Sequence, residues 1–273
     1  MKTLPLFAFV ALTAVAAGAV ASPIVAGFNQ SSLGRIDDGY AFVALPTGFT
    51  ADLTGYTYSS LYVNNNGSVS FGSQVGNYEP LSFASNNYGA TFFAPLLADV
   101  DTRVAPSGVV SYGFGQYDGH AAFGVNWPGV GYYNEHTDKL DSFQLILVDR
   151  ADTGAGNVDI YYNYGAIKWD KGDVSSTSAR AGYSQLGNLP DYEFAGSGQS
   201  GQLLDGGIHS LSAGSNIGVA GSYEFSARNG VITAGLPPSP SGEVPLPGSL
   251  SLFGIGAAAM IARRRQQATR QRG

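Results

Sequence analysis

Along the middle of this chain apolar and polar positions alternate in short runs, and Gly or Asn interrupts them every ten residues or so. That spacing is the pattern of a β-sandwich or barrel, with each run a strand and each interruption a turn. Leu61-Tyr62-Val63 and Val69-Ser70-Phe71 flank Asn64-Asn65-Asn66-Gly67, and the Asn66-Gly67 pair is expected to supply the positive φ angles of a tight hairpin. Val109 to Phe114 and Ala121 to Trp127 form two further alternating runs. Ser142 to Val148 is apolar on both faces, as a central strand covered on each side would be. Val158, Ile160, Tyr162 and Tyr164 alternate with Asp159, Tyr161 and Asn163, which predicts a strand with one wet face. Ala179 to Tyr183 and Ser222 to Arg228 read as closing strands. The body holds no long amphipathic helix, no repeat and no sign of a second domain. The expected fold is all-β, an antiparallel β-sandwich-like single domain.

The two ends break this pattern. Lys2 followed by the apolar stretch Leu4 to Val20 and the small-x-small triplet Ala19-Val20-Ala21 reads as a secretory signal peptide over residues 1–21, cut so that Ser22 becomes the first residue. At the other end, residues 229–243 are rich in Pro, Gly and Ser and read as a semi-rigid linker. Val244-Pro245-Leu246-Pro247 follows, then the apolar run Ser249 to Ala262 and the cluster Arg263-Arg264-Arg265. As a helix rising about 1.5 Å per residue, Val244 to Ala262 is just long enough to cross about 30 Å of hydrocarbon. The arginines would stay cytoplasmic and leave the body on the far side, where the signal peptide also sends it. Residues 244–273, with their Val-Pro-x-Pro start, apolar helix and arginine cluster, resemble the PEP-CTERM sorting signal of Gram-negative bacteria. Leu246 stands where that signal has Glu, and a polar tail, Gln266 to Gly273, runs past the arginines. The resemblance implies passage through the inner membrane, transient anchoring there by the C-terminal hydrophobic helix, and processing by an exosortase after signal peptidase has acted. The product would stay at the cell surface or be secreted.

Charge narrows the partners. Of the 14 Lys and Arg, Lys2 and five arginines past residue 262 lie in the ends, leaving 8; of the 20 Asp and Glu only Glu243 lies outside residues 22–242, leaving 19. The exported part thus carries a net charge of −11, which argues against nucleic acid and anionic membrane surfaces as partners. With no cysteine, disulfides, thiol nucleophiles and zinc–thiolate sites are excluded, and no cofactor is called for. Stability must come from β packing, for which 16 Tyr and 15 Phe are suitable material.

Asp99-Val100-Asp101-Thr102-Arg103 is the sharpest polar motif. In an extended segment both aspartates would face the same way as Arg103, and could either ligate a hard cation or form a structural ion pair. The ion pair is preferred, because no calcium-loop spacing is present and calcium takes six or more oxygens. Asp149 and Asp152, around Arg150-Ala151 and before Thr153-Gly154, are a similar pair of metal candidates, but Asp and Gly equally suit a long turn. His120, His136 and His209 are the only histidines. No Gly-x-Ser-x-Gly elbow surrounds any serine, and the histidines are expected to sit in exposed loops, His136 in a polar loop after Tyr132-Tyr133. Tyr112, Tyr117, Tyr132, Tyr133, Tyr161, Tyr162 and Tyr164 could stack on a carbohydrate or peptide; filling or rimming the core is the preferred reading.

Taken in order, several of these segments resemble the NIDO domain of nidogen, α-tectorin and related proteins. They are Leu61 to Gly72, Phe93 to Arg103, Val125 to Tyr133, Asp141 to Leu147, Asn163 to Trp169 and Ala181-Gly182-Tyr183. The resemblance covers residues 37–228, after an N-terminal segment at 22–36. It implies an extracellular adhesive or matrix-associated module with no catalytic residues to carry over, whose partners would be surface polysaccharide or other surface proteins. A secreted hydrolase using a carboxylate pair or a bound metal is the alternative, since the spacing of such a pair is set in space rather than in sequence.

Overall fold

The computed structural model describes residues 23–85, 88–187 and 189–234. The processing positions Ala19, Ala21, Ser22, Val244, Pro245, Pro247, Arg263, Arg264 and Arg265 all lie outside those residues. Among the described residues no helix is long and apolar enough to cross a membrane. The first strands are β1 (Ser31–Ser32), β2 (Tyr40–Ala44), β3 (Ala51–Leu53), β4 (Tyr56–Tyr58), β5 (Ser60–Asn64) and β6 (Ser68–Phe71). Then come β7 (Thr91–Leu97), β8 (Val100–Asp101), β9 (Ser111–Tyr117), β10 (His120–Tyr132) and β11 (His136–Asp149). The last are β12 (Val158–Ala166), β13 (Arg180–Ser184), β14 (Tyr192–Glu193), β15 (Ser222–Arg228) and β16 (Val231–Ala234).

Two antiparallel sheets face each other. One runs β1-β9-β10-β11-β12-β15-β16 with β8 beside β10; the other runs β14-β13-β7-β6-β5-β2, and β3-β4 form a separate hairpin. The core between them draws Leu61, Val63, Val69, Phe71 and Phe93 from the smaller sheet and Phe123, Trp127, Phe143, Leu145, Tyr162 and Phe225 from the larger. Each of these side chains lies on the inward half of an alternating strand, so burial follows the period of two. The phenols of Tyr162 and Tyr164 donate from β12 across the core to the carbonyls of Gly182 and Pro95, both at 2.7 Å. These two tyrosines fill the interior and join the sheets; Tyr112, Tyr117, Tyr132, Tyr133 and Tyr161 are only partly buried, Tyr112 and Tyr132 against this core and Tyr117 and Tyr161 on the outer face of the larger sheet.

Both sheets are also covered in part on their outer faces. Phe28 from the N-terminal segment packs with Ala122, Ile146 and Val148 over β10 and β11. Phe83 and Tyr88 pack with Phe92, Ala94 and Leu97 behind β7. The first of these layers explains why β11 is apolar on both sides. It also corrects the expectation for β12, whose second face is not wet: Asp159 and Asn163 are each 1% exposed. Asn163 belongs to a row of polar residues in register across four strands, Asn126, Gln144, Asn163 and Ser222. Gln144 donates to Asn126 at 2.7 Å and accepts from Asn163 at 3.0 Å, and Ser222 donates to Asn163 at 2.6 Å. The row clamps the N-terminal segment: Gln144 exchanges two hydrogen bonds with the backbone of Val25, and Asn126 donates to the carbonyls of Gly27 and Phe28. Asp159 is buried because Arg150 and Arg228 both pair with it.

Candidate functional site

Two of the polar features picked out from the sequence, the asparagine run and the Asp99–Arg103 motif, meet at one end of the smaller sheet. The loop between β5 and β6 has three residues, Asn65 to Gly67, between the paired Asn64 and Ser68. Gly67 takes φ +85°, and a β-carbon there would overlap the Leu96 carbonyl oxygen, so the position excludes other residues both by conformation and by space. Asn66, expected to share the positive φ, does not adopt one; its side chain is what matters. Asn66 accepts from the Val100 amide at 3.0 Å and donates to Asp38 at 2.7 Å. Asn65 donates to the Val100 carbonyl at 2.6 Å, and its own carbonyl accepts from the Trp127 indole at 2.9 Å. Asn64 donates to the Ser68 and Ser70 hydroxyls and accepts from the Val75 amide. Asn65 and Asn66 therefore fasten β8 and the connection that carries Asp99 to the hairpin, while Asn64 braces the hairpin itself and the segment that follows it.

Asp99 and Asp101 do not share a face. Ala98 and Asp99 form the connection between β7 and β8 rather than part of a continuous strand, so the alternation that would have aligned them is broken. Asp101 takes Arg103 alone: both its oxygens accept from the guanidinium, and they also accept the amides of Arg103 and Glu135 at 3.0 and 2.9 Å. Burial alone would raise the Asp101 carboxyl, but these bonds outweigh it and hold the group below the usual carboxylate range. Arg103 also reaches Asp37 at 3.3 Å and lies over the Tyr133 ring. Asp37 is carried there by Ile36, whose amide and carbonyl both bond the Thr102 side chain. The ion-pair geometry expected of Arg103 is present; the Asp99 side of the motif is not part of it.

Asp99 instead meets Asp37 and Asp38, and one oxygen from each of the three carboxylates lies within 4.8 Å of the others. Asp99 is 1% exposed, and its carboxylate accepts from the Ser175 hydroxyl at 3.3 Å. Burial, followed by repulsion from Asp37 and Asp38, pushes its carboxyl up to about 7. Asp37 is pushed to about 6, again by burial first and then by Asp101. Three oxygens so placed could hold part of the shell of a hard cation, which takes six to eight, or could share protons among themselves. Asp37 and Asp38 were missed in the sequence. Their only local signal is a doubled aspartate before Gly39.

The remaining candidates are scattered. Asp149 accepts the Ala151 amide at 3.0 Å and Asp152 pairs with Arg150, so both are built into the turn between β11 and β12. His136 is not in a loop. A short turn joins Tyr132 to His136 as a hairpin, and the imidazole stacks on Tyr132 with Nε2 2.8 Å from Asp173. His120 opens β10 with Nδ1 3.8 Å from Asp152, and His209 is exposed at the mouth of a cavity.

Comparison with known proteins bears on the whole body. The family model described as NIDO related matches residues 14–199, and a PEP-CTERM protein-sorting motif matches residues 243–266. Nidogen of Drosophila melanogaster is 25% identical over 201 residues, covering 63% of this chain and 14% of that protein. Alpha-tectorin of Homo sapiens is 25% identical over 229 residues, 72% of this chain and 10% of its own length. The chain thus spans a small fraction of the curated relatives it matches. No solved structure matches it.

Proposed function

Because the chain belongs to the NIDO related family and ends in a sorting motif for export to the surface, we propose that it is a non-enzymatic adhesive or structural module of the bacterial cell surface or exopolysaccharide matrix. In this reading signal peptidase and an exosortase process it, and the C-terminal helix anchors it in the inner membrane only in passing. The observation that carries the reading is the order of the two matches: a body similar to nidogen and alpha-tectorin, then the sorting motif. The geometry supports it. Asp101, Asp149 and Asp152 serve the ion pair and the turn described above, while β2, at the end of the smaller sheet, turns Tyr40 and Phe42 outward at 53% and 60% exposure. Large aromatic side chains at a sheet edge suit a contact surface.

The test is to incubate the exported protein with purified matrix polysaccharide and follow both partners. Retention of the protein with unchanged polymer length is the expected result. Shortening of the polymer would move the protein to the hydrolase reading, and absence of retention on matrix and on cells would reject adhesion.

A further inference from the structure

A cavity of about 530 Å³ opens between β14, β15 and the segment that joins them. Most of its wall lies beyond residue 199, where the family match ends. Its size is that of a small-ligand site. The floor is aromatic. Phe194 packs edge to face on Tyr223 at 4.7 Å and on Tyr192 at 5.4 Å, and Tyr192 and Phe194 both lean on Phe225 of the core. The rings are thus held from behind, and a ligand would meet a platform that needs no reordering.

Polar groups face the same space without protein partners. Tyr223 is 8% exposed and lines the cavity, yet its hydroxyl makes no hydrogen bond among the described residues. The hydroxyl oxygen is itself open to solvent, so a ligand that covered it without supplying a hydrogen bond would forfeit its bond to water. The Tyr192 hydroxyl and the His209 ring, also in the wall, are likewise unbonded among the described residues. None of the lining residues is Asp, Glu, Lys or Arg, so no fixed charge selects for a charged ligand.

We propose that this cavity binds a neutral saccharide unit. A pyranose has faces of C–H bonds, whose positive edges suit the negative faces of aromatic rings, and equatorial hydroxyls that both donate and accept. Those are the two kinds of surface the cavity offers, and a phenol and an imidazole likewise both donate and accept. An apolar peptide side chain would cover the platform but leave the Tyr223 hydroxyl unpaired. An anionic sugar would find no cation in the wall. The inference rests on the adhesive reading above and gives it a ligand class.

The experiment applies the full exported protein to an array of neutral oligosaccharides of glucose, galactose, mannose and N-acetylglucosamine, with uronic acid oligomers and apolar peptides beside them. Affinities of the hits are then measured for wild type, Tyr223→Phe and His209→Ala. Tyr223→Phe keeps the ring packing and removes only the hydroxyl, so its melting temperature should be unchanged while binding of a neutral sugar weakens about three- to tenfold, the effect of one neutral hydrogen bond. His209→Ala, on the exposed rim, should weaken the same sugar. No binding of any neutral oligosaccharide, binding that neither variant changes, or a preference for uronic acids or peptides would overturn the proposal. Retention on matrix by wild type and both variants alike would reject the cavity and leave adhesion standing. Loss of retention by wild type itself would reject adhesion.

Discussion

A carboxyl group buried among other carboxylates keeps its proton longer in the folded chain than in the unfolded one. Asp99, at about 7, and Asp37, at about 6, are both raised from the ordinary 3.8, chiefly by burial. Between about pH 4 and 7 the native state therefore holds protons that the unfolded state has released, and stability falls as pH rises through that window. Asp101 works in the opposite sense: held low by Arg103, its contribution is present above the ordinary value and is lost as the pH falls further. These groups together favour a stability maximum near about pH 4–5. Asp99→Asn should remove a penalty, stabilising the protein by on the order of 1 kcal/mol at about pH 8 and changing little at about pH 5. Urea unfolding midpoints at the two pH values check this. A loss at the higher pH that calcium restores would instead make the three carboxylates cation ligands. The Arg103–Asp101 half of this group was legible because its residues are neighbours in sequence. Asp37 and Asp38 were not, because they arrive through Ile36 and Thr102 and through the Asn66 side chain, contacts that no local pattern encodes.

Strands were legible for the same reason that the turn asparagines were misjudged. Local pattern is what the sequence carries: it placed β5, β6, β12, β13 and β15 at nearly their observed positions, and found the middle of β10 and the second half of β11 but not the hairpin between Tyr132 and His136 that joins them. It cannot show which neighbour a polar side chain meets. Asp159 and Asn163 look solvated along β12 alone, and become buried only when β11 and β15 bring Gln144 and Ser222 into register beside Asn163. Gln144 is the hub of that row, fully buried and bonded to Asn126, Asn163 and both backbone groups of Val25. Gln144→Leu keeps the approximate volume but leaves those partners unpaired. It should lower stability by about 2–4 kcal/mol, and the Val25–Phe28 segment should become cleavable before the sheets unfold. Urea midpoints and limited proteolysis with N-terminal sequencing provide the readouts. A variant with the wild-type midpoint and an uncut segment would show that Phe28 packing alone holds the segment down.

At the scale of the whole molecule, the acidic body and the basic tail make opposite demands, which processing at both ends would reconcile. The body of −11 suits an exported, soluble surface domain. The apolar run ending in Arg263-Arg264-Arg265 would hold that body at the inner membrane until it is cut. The N-terminal clamp adds a constraint. Gln144 grips the backbone of Val25, so a chain starting at Ser22 keeps every clamped residue, whereas a cut after Ala26 would remove one side of the grip. At the other end, β16 is paired to β15 through Ala234, and the Pro- and Gly-rich stretch from Gly235 follows the last strand, so a cut near Pro247 leaves both sheets whole. We therefore expect the surface form to begin at Ser22 and to lack the helix beyond Pro247. Intact-mass measurement of protein released from the cell surface, against protein from an exosortase-deficient strain, decides it. The deficient strain should hold the longer species in its membrane fraction, heavier by the tail alone. A surface species in the wild type that still contains Ile261 to Arg265 would make the C-terminal run a permanent anchor, and the two strains would then give the same mass.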